Sequence, residues 1–562
     1  MKYSFAQILC LCASSAQYFN PFQKPLHSAD ASETYSSGGP FTESFDKRVQ
    51  TLLDHFHVPS ISISVIDGND TFAKAYGYAV LPDVKATTET LYYCASTTKS
   101  FTAASVLKLI EGSANQSEPL TLKTKIQSLI RDEFVLMDEY ATSHVTFEDA
   151  LSHRTGMPRH DYSYGMPNAT LENLVRSMRH LPMTGELREK FQYCNIMFGM
   201  VSYVIETITG VWLGDFFRQH IWGPLGMHST FFSLDDAKHS EKNGGPNLSV
   251  GYTWVKELGT YVKEPYLVNP IISGAGQTIS NVLDYAKYLR AMLTMNETLL
   301  SEQSFINLRS PRSFSDPEYH LQNRIWTGPQ MYGLGWQIAV YHGHEIFNHG
   351  GALPGFGVEM AYIPSLKNGV GFTFMGNSDG GSNLVALVLM SYLVDEMIRV
   401  PEDERINLVA MFDALSEEAE NELQPGKARK RIYPDAPPAN STLPLPLPLE
   451  DYTGEYRNDG YGNLTIHIED ANSTQMSWMM AEKVLRIDVS DKLWEHSITF
   501  EHVSGNYFLA WGKVTTTGST VAAAPAEFEI GVDEKVKRLG LGYEPSMGKD
   551  LIWFEKFNRT AG

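Results

Sequence analysis

The spacing of apolar positions changes period several times along the chain. Residues 41–56 place Phe45, Val49, Leu52, Leu53 and Phe56 on one side of a helix. Residues 60–66 and 71–78 instead alternate about the turn Asp67-Gly68-Asn69-Asp70, which predicts a β-hairpin. Helical spacing returns in the run after Ser96 and at 147–151, 195–209, 212–221 and 280–293. Gly-rich strand patterns follow at 333–340, 345–348, 358–363 and 370–377, then a helix at 384–398. Strands at both ends of a helical middle imply one sheet assembled from both ends of an α+β domain, residues 41–415.

The pattern then breaks. Residues 416–422 are acidic, 427–431 basic and 434–448 proline-rich, ending in Leu443-Pro-Leu-Pro-Leu-Pro-Leu-Pro448. The stretch 416–448 is expected to be a semi-rigid extended linker. Beyond it, 449–562 shows short strands at 463–468, 484–489, 498–500, 507–511, 528–530, 536–543 and 551–557. Seven or eight such strands predict a small antiparallel barrel.

Composition narrows the function classes. The 562 residues are 43% hydrophobic and 12% aromatic, enough for two packed domains, and carry a net charge of −20. So acidic a chain argues against nucleic acid and an anionic membrane surface as partners. No run reaches the ~20 apolar residues of a membrane span. Lys2, an apolar patch at 8–13 and Ser14-Ser15-Ala16 read as a signal peptide over 1–16, followed by a flexible segment, 17–40. Nine N-x-Ser/Thr sequons, at Asn69, Asn115, Asn168, Asn247, Asn296, Asn440, Asn463, Asn472 and Asn558, agree with a secreted protein and belong outside the core. Cys94 and Cys194 survive cleavage of that leader and read as small buried thiols rather than a disulfide framework. His342 and His344 have metal spacing without a carboxylate or cysteine arrangement around them, so no metal and no cofactor are expected.

The chemistry starts at Ser96-Thr97-Thr98-Lys99. A lysine three residues after a serine lies on the same helix face and can take the hydroxyl proton, while free N–H groups at the helix start favour developing negative charge. The spacing recurs at Ser44/Lys47, Ser105/Lys108 and Ser546/Lys549, so context decides. Two further pieces supply it: Tyr193-Cys194-Asn195, and His349-Gly350-Gly351 before the turn Leu353-Pro354-Gly355.

In this order, the three pieces resemble the motifs of the β-lactamase and penicillin-binding-protein superfamily of active-serine hydrolases. The flanks agree. Leu151-Ser-His-Arg-Thr-Gly-Met-Pro-Arg-His-Asp161, Tyr193 to Gly210 with Pro224-Leu-Gly-Met-His-Ser-Thr-Phe231, Gly274-Ala-Gly276 and Tyr332-Gly-Leu-Gly-Trp336 are all similar to family segments. The resemblance covers about residues 41–400 and implies an antiparallel sheet flanked by helices, plus an all-helical subdomain. The segment opening Tyr452-x-Gly-x-Tyr456 looks like the lipocalin-like domain attached to some members.

By that resemblance Ser96 is the nucleophile, and Lys99 and Tyr193 share the acid and base roles. The backbone N–H groups of Ser96 and Ala352, the latter just after Gly351, would hold the oxyanion. Asn195 would bond Lys99 or a substrate amide, His349 would orient Tyr193 or touch substrate, and His160 would line the cleft. Arg154 and Asp161 would hold that loop as an ion pair. His349 stands where β-lactamases carry the lysine of Lys-Thr-Gly, and so resembles the D-aminopeptidase, D-amino-acid amidase and family VIII-like esterase branch. An imidazole near neutrality anchors a carboxylate only when protonated, which turns the expected substrate from penicillins towards amides and esters. The implied reading is an acyl-enzyme hydrolase on a small molecule or peptide, with D-residue peptides leading. An esterase or transacylase on a small metabolite, and an inactive peptide- or cell-wall-binding relative, are the alternatives, and a homo-oligomer is compatible with each.

Overall fold

The computed structural model describes residues 39–557 except 166–168, 269, 316–324, 327, 439–440, 472–477 and 479–480. The signal-peptide segment and nearly all of the flexible N-terminal segment lie outside the described residues, as do the sequons Asn168, Asn440, Asn472 and Asn558.

Helix α1, Glu43–His55, starts at Thr42, whose hydroxyl accepts from the Phe45 N–H. Nine strands form one sheet: β1 Ser60–Asp67, β2 Asp70–Val80, β3 Val84–Lys85, β4 Ser313–Phe314, β5 Met331–Tyr332, β6 Gln337–Tyr341, β7 His344–Leu353, β8 Phe356–Ile363 and β9 Val370–Gly376. Their order is β3-β2-β1-β9-β8-β7-β6-β5-β4. The two ends of the domain meet where β1 pairs antiparallel with β9, Ile61 opposite Gly376 and Asp67 opposite Val370. One sheet is thus built from both ends, as the spacing predicts. The alternation in β1 separates two buried faces: Ile61, Ile63 and Val65 join the core that holds α1 and helix α6, Gly381–Ile398, while Ser62 on the other face bonds the Tyr92 hydroxyl. Helix α6 is long and apolar enough to cross a membrane, but it is largely buried and packs on β8 and β9.

The helical part lies on the Ser62 face and includes α2 Thr98–Gly112, α3 Phe147–Leu151, α4 Asn195–Thr209 and α5 Val282–Thr294. The predicted helix at 212–221 divides into Leu213–Phe217 and a wider π turn, Arg218–Trp222.

Eight strands close the C-terminal barrel: β10 Gly454–Asn458, β11 Gly462–Asp470, β12 Lys483–Val489, β13 His496–Ser504, β14 Tyr507–Val514, β15 Thr520–Ile530, β16 Val536–Leu541 and β17 Ile552–Phe557. Only the end of β15 is visible as a strand in the sequence, because its alanines lack the branched or aromatic side chains that mark strands.

The linker expectation is corrected over its first half. Residues 408–422 and 425–432 are helices, α7 Leu408–Glu422 and α8 Pro425–Ile432. In α8, Ala428 and Ile432 share a face and pack on Val503, Leu509 and Trp511 of the barrel. Arg429 donates to the Val503 carbonyl at 3.1 Å, and the Tyr433 hydroxyl donates to that of Phe508 at 2.9 Å. Asn247 corrects the expectation for sequons: its amide nitrogen is buried and its Oδ1 accepts from Thr90 at 2.9 Å.

Candidate active site

Ser96 sits in a 3-10 turn, Ala95–Thr97, that runs directly into α2. Ala95 is held at φ +47°, a left-handed conformation that costs energy without glycine. Three hydroxyl contacts fix the turn: Thr97 Oγ1 donates to the Cys94 carbonyl at 2.8 Å, Thr98 Oγ1 donates to that of Ala95 at 2.7 Å, and the Thr278 N–H donates to Thr98 Oγ1 at 3.1 Å. The strain therefore aims the Ser96 hydroxyl, which remains partly exposed above a buried base.

One turn later, Lys99 is fully buried. Its Nζ lies 3.1 Å from Ser96 Oγ and donates to the Ala275 carbonyl at 2.9 Å. Among the described residues no carboxylate stands within ion-pair distance of it. Burial, followed by the Arg159 cation, holds its ammonium well below the ordinary lysine value. The Tyr193 ring centre lies 4.8 Å from the amine. Burial acts on the phenol in the opposite sense and raises it above its ordinary value, against the lowering effects of Ser96 and Arg159. Burial thus draws the amine down and the phenol up, moving the two groups in opposite directions beside Ser96.

Gly351 lies on β7 where a Cβ would come 2.3 Å from the Cys94 carbonyl, so only glycine lets the strand approach the serine turn this closely. Ala352 follows it on the same strand. His349 Nδ1 donates to the Gly350 carbonyl at 2.7 Å, leaving Nε2 to accept from the Tyr332 hydroxyl at 3.0 Å. Burial, with Lys99 nearby, lowers His349 to about 3, so the imidazole is neutral. It orients Tyr332; the Tyr193 ring is 6.4 Å away. Behind the strand, Asn383 on α6 donates to the Gly351 carbonyl at 3.2 Å and to Glu359 on β8 at 2.9 Å. Burial pushes the Glu359 carboxyl up to about 7.

Two expected site residues act elsewhere. Asn195 donates to Asp161 at 3.3 Å rather than to Lys99. His160 is buried against the barrel: Nε2 donates to the Pro182 carbonyl at 2.8 Å and Nδ1 accepts from the Tyr461 hydroxyl at 2.6 Å, so both nitrogens are committed away from any substrate. The ion pair expected between Arg154 and Asp161 is also redistributed. Arg154 binds Asp149 at 2.8 Å and Glu148 at 3.2 Å, whereas Asp161 takes Arg159 at 2.8 Å.

The sequence assigns no role to Arg159, whose guanidinium lies 5.0 Å from the Tyr193 ring centre, or to His153, which it groups with Arg154, His160 and Asp161 and whose ring lies 4.3 Å from that of Tyr193. Both belong to the quoted 151–161 segment, but no local pattern marks either as facing the tyrosine. Cys94 and Cys194 are buried free thiols, each pushed up to about 12 by burial. The other Ser-x-x-Lys pairs fall away: Ser44 is exposed, Ser105 Oγ donates to the Phe101 carbonyl at 2.9 Å, and the Ser546 N–H donates at 3.0 Å to the Glu544 carboxylate that caps its turn. Among the described residues no group of three or more His, Cys, Asp or Glu could hold a metal.

Similarity to known proteins extends along most of the chain. The family model described as Beta-lactamase matches residues 45–411, and a second, described as a domain of unknown function (DUF3471), matches 438–556. The chain is 38% identical over 537 residues, 94% of each chain, to a protein named unguisins hydrolase ungD' from Aspergillus campestris. It is 34% identical to unguisins hydrolase ungD from Aspergillus violaceofuscus, over 91% of this chain and 89% of that one. In fold it is similar to an octameric penicillin-binding protein homologue from Pyrococcus abyssi, with TM-score 0.55, 22% identity, and 91% and 99% of the two chains covered. A D-amino acid amidase from Ochrobactrum anthropi SV3 gives TM-score 0.50 and 20% identity over 63% of this chain and 99% of its own.

Proposed function

Because the chain belongs to the beta-lactamase family of serine hydrolases, we propose that it cleaves amide bonds in peptides through an acyl-enzyme on Ser96, with peptides carrying D-residues as the leading substrates. The observation that carries this reading is the buried Lys99 amine, 3.1 Å from Ser96 Oγ and without a carboxylate partner among the described residues. Such an amine is neutral enough to accept the serine proton as Oγ attacks the carbonyl carbon. The N–H groups of Ser96 and Ala352 receive the oxyanion. Tyr193 then donates its phenolic proton to the departing nitrogen, the C–N bond breaks, and the proton held on Lys99 restores the phenol. Water repeats the sequence on the ester, releasing the acid and free Ser96.

The neutral His349 supports the substrate class. A site with an uncharged imidazole in the third motif lacks the fixed cation that would select a free carboxylate, which favours a substrate uncharged at that end. Unguisins, the compounds named for the two fungal relatives, are therefore the first substrates to try, beside matched D- and L-aminoacyl amides and short-chain esters. The D-amides should turn over fastest, with a mass increment on the peptide containing Ser96 during turnover and none in Ser96→Ala. Turnover retained in Ser96→Ala would overturn the mechanism, and esters outrunning every amide would overturn the substrate class.

A further inference from the structure

The loop between α3 and α4 joins the catalytic centre to the barrel. On its inner side Arg159 stands over Tyr193, paired with Asp161 at 2.8 Å. Asp161 also accepts from the Tyr164 hydroxyl at 2.6 Å and from Asn195 at 3.3 Å. On its outer side the loop meets the barrel, while His160 Nε2 is held by the Pro182 carbonyl at 2.8 Å. The Glu544 carboxylate accepts the His160 backbone N–H at 2.7 Å, and the Tyr461 hydroxyl donates to His160 Nδ1 at 2.6 Å. Tyr162 stacks on Tyr543 with ring centres 5.3 Å apart and meets His496 edge-on at 5.0 Å. His160 itself is at φ +47°, a backbone conformation that a histidine holds only when its surroundings impose it.

We propose that the barrel is a working part of the catalytic centre: Tyr461 and Glu544 are positioning residues that, through His160, hold Arg159 against Tyr193 and Lys99. The barrel then acts on the reaction without touching substrate. The proposal rests on the Lys99–Ser96 reading above. Its chemical consequence lies in the charge around Lys99, which faces Arg159 and Asp161 from the loop, His153 after α3, Tyr193 and Cys194 before α4, and His349 on β7. Of these, Arg159 supplies the cation nearest the tyrosine face, and a cation there disfavours a second charge on the lysine. A slackened loop lets Arg159 drift towards solvent, and Lys99 then holds its proton to higher pH.

The test uses the full chain and a fluorophosphonate probe, so that it needs no identified substrate. Labelling forms the Ser96 Oγ–phosphorus bond, expels fluoride and passes the serine proton to Lys99, so its rate follows the fraction of neutral amine. Tyr461→Phe and Glu544→Gln should each slow labelling at neutral pH about 10-fold and move the acidic limb of the rate profile up by about half a unit or more. Arg159→Met should move the limb in the same direction, and neither barrel substitution should move it further in that background. A slower rate with an unmoved limb, or full additivity with Arg159→Met, would show a merely structural role and overturn the proposal. Labelling that survives Ser96→Ala, or is absent from the wild type, would instead sink the underlying hydrolase reading.

Discussion

Asp149 and Lys99 are both fully buried ionisable side chains, yet their surroundings treat them in opposite ways. Asp149, on α3, is satisfied on every side. Arg154 and Arg188 each reach it at 2.8 Å, and the Thr146 hydroxyl donates to it at 2.7 Å within a capping box. Burial alone would raise its carboxyl, but these hydrogen bonds and cations hold it below its ordinary value. Glu148 beside it gathers Arg154, Arg312 and Lys123. Lys99 has no such company, only a hydroxyl, a carbonyl and aromatic faces. A saturated charge stabilises the loop that leaves α3, whereas an unsaturated one is kept reactive. Removing each should therefore have opposite consequences.

The largest effect is expected at Lys99. Lys99→Met should lower turnover by about 10³-fold while leaving the protein at least as resistant to urea as the wild type, since it removes a buried amine that lacks an anionic partner. Activity near the wild-type level, or a large loss of stability, would break the contrast. Asp149→Asn comes next. It takes the shared carboxylate from Arg188, leaves Arg154 with the Glu148 carboxylate, and should cost about 3–5 kcal/mol in urea unfolding. A cost near zero would mean that the Arg154–Asp149–Arg188 cluster is ornamental.

Glu359 sharpens the comparison from between the two, being a buried carboxyl with a neutral amide partner. Its folded value of about 7 lies above its ordinary 4.5, so the native state binds the proton more tightly. That contribution is complete below pH 4.5 and lost as pH rises through 7. Glu359→Gln should accordingly change little at pH 5 and stabilise by about 3 kcal/mol at pH 8, read as the shift in urea midpoint. Equal effects at both pH values would show that the carboxyl is not held protonated.

What the sequence discloses follows the range of the interaction. Ser96 and Lys99 are separated by one helical turn, so their spacing already contains their contact. Gly351 is legible only through the resemblance of His349-Gly350-Gly351 to a family motif, because the Cys94 carbonyl that leaves it no room for a side chain lies far back in the chain. His160 misleads because the group that claims it, Tyr461, lies some 300 residues on and leaves no local periodicity. Asn195 misleads because the motif names its neighbours in the chain, not the Asp161 that its amide meets. Helix α8 hides behind its own charges, since only Ala428 and Ile432 carry its packing.

The meeting of β1 with β9 imposes an order on synthesis. Ile61 leaves the ribosome more than 300 residues before Gly376, its cross-strand partner. At a translation rate of ~5–20 residues per second, that leaves a strand of buried isoleucines and valines without its neighbour for tens of seconds. The hairpin with β2 can form at once, but its far edge stays open until the helical part has been made. The nascent chain is thus most exposed to aggregation while Ser96 and Lys99 already exist and the sheet that must receive them does not.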